Sequence, residues 1–198
     1  KMYMKKKLII IGSVLLFLIL VVFFCYQNDN IRFKVSYGYI NYIEYNNGKK
    51  IKVDIPFDNK IHYLNEKEVI EFLTSGTGLI YFGYNTCPWC RNSVPILIEA
   101  AKENNLNTIY YADVHKLNIK SIRKELYGKL DSYLEENDEG NKVLGVPHIF
   151  SVKNGKILGN HVGTVDSYHN PYKKMTEEEK EELLTIYKDL IMEMNKDE

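Results

Sequence analysis

Phe82-Gly83-Tyr84-Asn85-Thr86-Cys87-Pro88-Trp89-Cys90-Arg91 sets two cysteines three positions apart, where an apolar run gives way to an amphipathic one. Just upstream, Leu79-Ile80-Tyr81-Phe82 has the continuous apolar character of a strand buried on both faces. Just downstream, Val94, Leu97, Ile98 and Ala101 share one face of a helix that Thr86-Cys87-Pro88 opens. Pro88 suits the first turn because it has no N–H to lose there. Thr86 is the expected cap. A helix N-terminus carries partial positive charge and unpaired N–H groups. Both favour a thiolate at Cys87 and bring its pKa below that of a free thiol. Arg91 adds a nearby cation. Cys90, one turn on, is within reach of the Cys87 sulfur and can attack a mixed disulfide formed there, so a dithiol and a disulfide can interconvert.

The two cysteines alone have other readings. Half of a zinc site needs two more ligands, and His62, His115, His148, His161 and His169 show no close pairing at zinc-ligand spacing. The third cysteine, Cys25, lies in a separate apolar segment. A structural disulfide across so short a loop restrains the unfolded chain little. Redox chemistry is the preferred reading, with no metal and no cofactor expected.

The flanking segments predict the rest of the domain. Asn65-Glu66-Lys67-Glu68 is a capping-box pattern opening a helix to about Leu73, with Val69, Ile70, Phe72 and Leu73 inward and Gly76 and Gly78 ending it. Thr108 to Val114 reads as a strand. Ile122, Leu126, Leu130, Tyr133 and Leu134 give a long amphipathic helix, and Asn137 to Asn141 a loop. Pro147 to Val152 and Lys156 to Val162 read as strands joined at Asn154-Gly155, a hairpin turn. Thr176-x-x-Glu179 caps a last helix whose inner face is Leu183, Leu184, Tyr187, Leu190, Ile191 and Met194. On the N-terminal side, Phe33, Val35, Tyr37 and Tyr39, then Ile51, Val53, Ile55 and Phe57, alternate about Asn46-Asn47-Gly48, which predicts a β-hairpin. Strands alternating with helices make the chain α/β, with a central sheet covered by helices.

Leu8 to Cys25 is apolar apart from Gly12 and Ser13, and its 18 residues fall within the ~17–25 needed to cross a bilayer. A cleavable signal peptide has an apolar region of only about 7–15 residues and a small-residue cleavage site. Val22-Phe23-Phe24-Cys25-Tyr26-Gln27 offers no such site, and Phe24 is too large to precede a lipoprotein cysteine. An uncleaved signal anchor is the expectation. Lys1, Lys5, Lys6 and Lys7 precede the span and no lysine stands immediately after it, which predicts a cytoplasmic N-terminus and an extracytoplasmic domain. The expected layout is a cytoplasmic segment over 1–7, a transmembrane signal anchor over 8–25, a polar tether over 26–32 and one domain over 33–198. Those four lysines leave 22 bases against 26 acids from Asp29 onward, a net of −4. Without a basic stripe, such a domain is not expected to bind nucleic acid.

Gly145-Val146-Pro147 stands just before the penultimate strand. A strand, CxxC at a helix start, helix, strand, helix, Gly-Val-Pro and an Asn-Gly hairpin followed by Val162-Gly163, over residues 65–195, resembles the thioredoxin superfamily. The resemblance implies a thioredoxin-like central mixed sheet flanked by helices, with Cys87 as nucleophile and Cys90 as resolving thiol. It implies a cis Pro147 beside the reactive sulfur, a bond that proline tolerates far better than other residues. It also implies that substrate pairs like an added strand with the backbone of Val146, against Pro88 and Trp89. A plain strand-entry proline is the other reading of Pro147. The decapeptide quoted first is similar to segments of membrane-anchored thioredoxin-like proteins of Gram-positive bacteria, including the bacteriocin transport accessory type. That likeness implies exported cysteine-containing proteins or peptides as substrates and a membrane redox partner.

This chain departs from the pattern in two places. Classical thioredoxins carry a buried Asp six residues before the first cysteine, where Tyr81 stands here, and Trp where Thr86 stands. Thr-Cys-Pro-aromatic-Cys is similar to glutaredoxins, but their downstream Gly-Gly and acidic residues are not recognisable. The proton acceptor for Cys90 is therefore open between water, Glu99 and another carboxylate. His148 reads as a strand histidine that could instead line the substrate groove. Tyr168, His169, Pro171 and Tyr172 read as a solvated loop that could instead bind a partner. The Glu177–Glu182 run reads as a solvated helix face beside the positive end of the dipole. The alternative function is a thioredoxin-fold binding module, or a chaperone for an exported partner, with little catalysis.

Overall fold

The computed structural model describes residues 2–40, 43–44, 48 and 50–196. Five strands form the central sheet: β3 (Ile61–Tyr63), β4 (Gly78–Gly83), β5 (Ile109–Asp113), β8 (His148–Lys153) and β9 (Lys156–Val162). Their order is β3-β5-β4-β8-β9, with β3, β5 and β4 mutually parallel and β8 antiparallel to both of its neighbours, β4 and β9. This is a mixed sheet, covered by helices on both faces. Successive residues of β4 point to opposite faces. Leu79 and Tyr81 pack with α4 (Pro88–Glu103) and α6 (Glu177–Asn195). Ile80 and Phe82 pack with α3 (Glu66–Ser75) and α5 (Ile119–Leu130). Each face has its own core, which is why the β4 run is apolar throughout.

Both expected capping boxes form. Asn65 Oδ1 accepts the Glu68 N–H while Glu68 accepts the Asn65 N–H, and Thr176 and Glu179 do the same at α6. The long helix expected through Leu134 is shorter. It stops at Leu130 and passes through a 3-10 turn over Asp131–Tyr133. The loop expected over 137–141 is the tip of a small antiparallel pair, β6 (Glu135–Glu136) with β7 (Lys142–Val143).

The N-terminal hairpin is much shorter than the alternation suggests. It consists of β1 (Ile43–Glu44) paired with β2 (Lys50–Ile51), and Asn46 and Asn47 of its turn lie outside the described residues. Residues 33–40 are helical instead, in α2 (Asp29–Lys34) and a π-helical stretch, Val35–Ile40. Phe33 and Tyr37 are four apart, a spacing that serves a helix as well as an alternating strand. Both are fully buried, and their rings stack 4.3 Å apart. The large core side chains, not the period of two, decide the conformation.

The first helix, α1 (Met2–Gln27), contains a segment, Ile10–Gln27, long and apolar enough to cross a membrane and exposed along its length. The expected tether over 26–32 is not a free linker. It ends α1, breaks at Asn28 and starts α2, whose residues bond to β3. Asp29 accepts the Tyr63 N–H at 3.1 Å and pairs with His62 at 2.9 Å. Asn30 Oδ1 accepts the Lys60 N–H at 2.7 Å, and Asn59 donates to the Asn30 carbonyl at 2.8 Å. Asn59 Oδ1 accepts the Ile61 N–H at 3.2 Å. The guanidinium of Arg32 lies 3.9 Å from the centre of the Tyr63 ring.

The β8–β9 turn has Asn154 at φ 52° and Gly155 at φ 75°, the left-handed pair of a type I′ hairpin. A Cβ on Gly155 would lie 2.0 Å from the Thr74 carbonyl oxygen at the end of α3. Gly155→Ala is expected to cost about 2 kcal/mol or more, combining left-handed strain with backbone displacement. Denaturant unfolding measures it, and a loss under about 0.5 kcal/mol, the size of a neutral surface change, would contradict the contact.

Candidate active site

β4 ends at Gly83, the chain turns through Tyr84, Asn85 and Thr86, and α4 begins. The cap of α4 is not Thr86, which is exposed, but the sulfur of Cys87. Cys87 Sγ accepts the Cys90 N–H at 3.2 Å. Pro88 follows in the first turn, as expected. Thr86 has a hydroxyl suited to capping, but a cap one residue earlier would leave the sulfur without the N–H groups it now receives.

Both cysteines are thiols, and their environments differ. Cys87 is held below the ordinary thiol range, first by the Cys90 thiol bonding to it, then by the N–H groups of Cys90 and Trp89 and by the Tyr84 hydroxyl. Burial opposes this and does not win. Cys90 is fully buried, and burial pushes its thiol well up, reinforced by the neighbouring Cys87. The first thiol is therefore the one that ionises readily. Arg91 contributes differently from the expected nearby cation. It is 2% exposed, its guanidinium donates to the Asn85 carbonyl at 2.8 Å, and its charge faces Tyr37.

The Val146–Pro147 peptide bond is cis. The Cys87 thiol points at the Val146 carbonyl, 3.9 Å away, and the Gly163 N–H donates to the Pro147 carbonyl at 2.7 Å. Cys87 itself is only 2% exposed. Beside it runs an open groove of about 320 Å³ lined by Trp89, Gly145, Val146, Val162 and Gly163, with Glu135 and Asp166 at its margins. Trp89 stands edge-on to Tyr168, ring centres 5.6 Å apart. Cys87, Cys90, Pro88, Trp89, Val146 and Pro147 thus come together, although Val146 and Pro147 are more than fifty residues from the cysteines in sequence.

Other candidates fall elsewhere. His148 faces the α3/α5 side, stacked 4.1 Å from Phe150 and bonded through Nε2 to Asn160 at 2.9 Å. Burial lowers its pKa to about 4, so it is neutral near pH 7 and away from the sulfurs. The 168–172 segment is not a solvated loop throughout. Tyr168 and Pro171 are buried, and the Pro171 carbonyl accepts from Asn92 on α4 at 2.9 Å, whereas His169 and Tyr172 are exposed. Glu99 is exposed and lies nine residues beyond Cys90, about 13 Å along the helix. It is too far to take that thiol's proton. Among the described residues, no cluster of three or more His, Cys, Asp or Glu is arranged to hold a metal.

Sequence reasoning missed the cluster behind the cysteines. Tyr81, Tyr111 and Tyr37 are fully buried, and Tyr81 stacks on Tyr111 at 5.3 Å. The available signal was a tyrosine in a strand that is apolar on both sides, whose hydroxyl must find a partner. Gly83, two residues on, makes room: a Cβ there would sit 2.2 Å from the Tyr81 hydroxyl.

The two thiols should separate cleanly by reactivity. Alkylation of Cys87 by iodoacetamide should titrate below about 8.5, the value of a free thiol, with Cys90 inert until well above it. Tyr84→Phe removes a hydrogen bond to the sulfur and should move the Cys87 midpoint upward. Peptide mapping of the alkylated chain measures both, and equal labelling of the two cysteines at neutral pH would contradict the asymmetry.

No protein-family model matches this sequence, and no curated protein matches it significantly. Among solved structures, the chain is similar to thioredoxin O2 from Arabidopsis thaliana in its oxidised state. The identity is 21% and the TM-score 0.43, over 67% of this chain and 96% of that one. It is also similar to thioredoxin from Aeropyrum pernix, at 19% identity and a TM-score of 0.34, over 65% of this chain and 87% of that one.

Proposed function

We propose that this chain is a membrane-anchored thiol–disulfide oxidoreductase acting outside the cytoplasm on exported cysteine-containing proteins or peptides. The observation that carries the reading is the placing of Cys87. Its sulfur caps α4, faces the Val146 carbonyl beside a cis proline, and has a protonated Cys90 one turn behind it.

In this reading the substrate lies in the groove beside Trp89 and Val146, its extended backbone against Val146. The Cys87 thiolate attacks one sulfur of the substrate disulfide, and the other sulfur leaves as a thiolate that takes up a proton. Cys90 then attacks the Cys87 sulfur, the mixed disulfide breaks, and the second substrate thiol departs. Two electrons have passed from the dithiol to the substrate, and the pair ends as a Cys87–Cys90 disulfide. The reverse sequence oxidises a substrate dithiol. A membrane redox partner restores the pair between turnovers.

Cys90→Ala should trap substrates on Cys87 as mixed disulfides, seen in cells as species that collapse under reductant, and Cys87→Ala should trap none. A partner retained equally by both variants without a covalent link would instead mark a binding module. Anchoring has its own check. The full chain should stay with membranes through a high-salt wash, and protease added to wall-stripped cells should reach the domain. Release into the medium with a new N-terminus near residue 26 would overturn the anchor.

A further inference from the structure

Closing the cycle requires a thiolate at Cys90, and Cys90 is fully buried. While Cys87 is a thiolate, the Cys90 thiol donates to it. Once Cys87 is tied to a substrate, that acceptor is gone, and negative charge must form in a site with no water contact. Burying an unpaired charge is expensive. The hydroxyl that bears on Cys90 from β4 is that of Tyr81, fully buried in the same core cluster and a donor that favours the Cys90 thiolate.

Behind Tyr81 the hydroxyls continue. Tyr37 lies 3.2 Å from Tyr81 and 3.4 Å from Tyr111, and Tyr111 donates to the Gly83 carbonyl at 3.3 Å. That last bond sets the resting direction: Tyr81 donates to Tyr37, Tyr37 to Tyr111, and Tyr111 to the carbonyl. If the three hydroxyl hydrogens rotate, the direction reverses. Tyr111 then donates to Tyr37, Tyr37 to Tyr81, and Tyr81 to the Cys90 sulfur. Only the Gly83 carbonyl loses a partner, and it keeps the Val114 N–H at 3.1 Å.

We propose that Tyr81 is a catalytic residue that donates a hydrogen bond to the Cys90 thiolate as it forms, with Tyr37 and Tyr111 as positioning residues that hold it and reverse with it. This rests on the disulfide-exchange reading above. The ladder is a switchable donor and not a proton exit, since it ends at a carbonyl with no further acceptor. Burial pushes all three hydroxyls well above the ordinary range, so each stays protonated and none acts as the base. The balance closes without one. The Cys90 proton ends on the departing substrate sulfur, the Cys87–substrate bond breaks, and the Cys87–Cys90 bond forms. The other groups facing Cys90 are Cys87 and the Tyr84 backbone at the head of α4, and Tyr187 from α6, whose hydroxyl lies by Ser93. The nearest buried carboxylate to the ladder, Asp113, lies beyond Tyr111 and is engaged by the His115 N–H and Lys116.

The test uses the full chain with Cys25→Ser as the background for every variant and for wild type, because that exposed thiol would release an equivalent of its own. The chain is reduced, in detergent, and mixed with dithiobisnitrobenzoate, whose thiolate is coloured. Wild type in this background should release two equivalents, one on attack by Cys87 and one on closure by Cys90. In Tyr81→Phe the first phase should persist. The second should slow about tenfold, the scale of a lost hydrogen bond to a charged group, and its pH midpoint should rise. Tyr37→Phe should do the same to a smaller degree. A second phase in Tyr81→Phe with wild-type rate and midpoint overturns the proposal. If that variant fails to fold, an unchanged second phase in folded Tyr37→Phe overturns it. A wild-type chain that never releases the second equivalent sinks the disulfide-exchange reading itself.

Discussion

A sulfur atom caps a helix in this protein, and the arrangement around it depends on that bond. The Cys87 sulfur receives the N–H of Cys90 at 3.2 Å, which serves structure and chemistry together. It pairs one of the orphan donors at the start of α4, and it holds the sulfur where the helix dipole favours negative charge. It also sets the two cysteines one turn apart, with the first at the groove and the second in the core. The rest of the sheet delivers pieces to this point. β4 brings the chain to the head of α4, and β8 brings the Val146 carbonyl across to face the thiol.

Part of this was legible from residue patterns. The apolar run over 79–82, the capping boxes at Asn65 and Thr176 and the Asn154-Gly155 turn each carry local physics, and each formed. Cys87 and Pro147 were visible as a spaced pair. A hydroxyl is the ordinary partner for a first-turn N–H, so the pattern points to Thr86, yet the thiol one residue later takes its place. The 33–39 alternation points to a strand, but Phe33 and Tyr37 satisfy a helix equally well. Only the tertiary pocket beside Tyr63 and Tyr111 separates the two. The tyrosine cluster was illegible for the same reason: its members come from three distant segments, and only the sheet register puts Tyr81 beside Tyr111.

The N-terminal segment belongs to the domain more than its polarity suggests. Asp29 and Asn30 bond to the edge of the sheet, while Phe33 and Tyr37 complete the core beneath the cysteines. Ser36 accepts a hydrogen bond from Asn85 in the turn that leads to Cys87. The stretch between the apolar helix and the sheet is thus a structural part of the site's foundation.

The way Asp29 and Asn59 meet β3 has a bearing on self-association. An edge strand with unpaired N–H groups is a template on which another chain can add a strand. The two β3 donors that point away from β5, at Ile61 and Tyr63, are already taken by the side chains of Asn59 and Asp29. A neighbouring copy approaching along this edge finds those donors occupied. Where copies of this chain crowd side by side, such blocking hinders them from knitting into aggregates through their sheets.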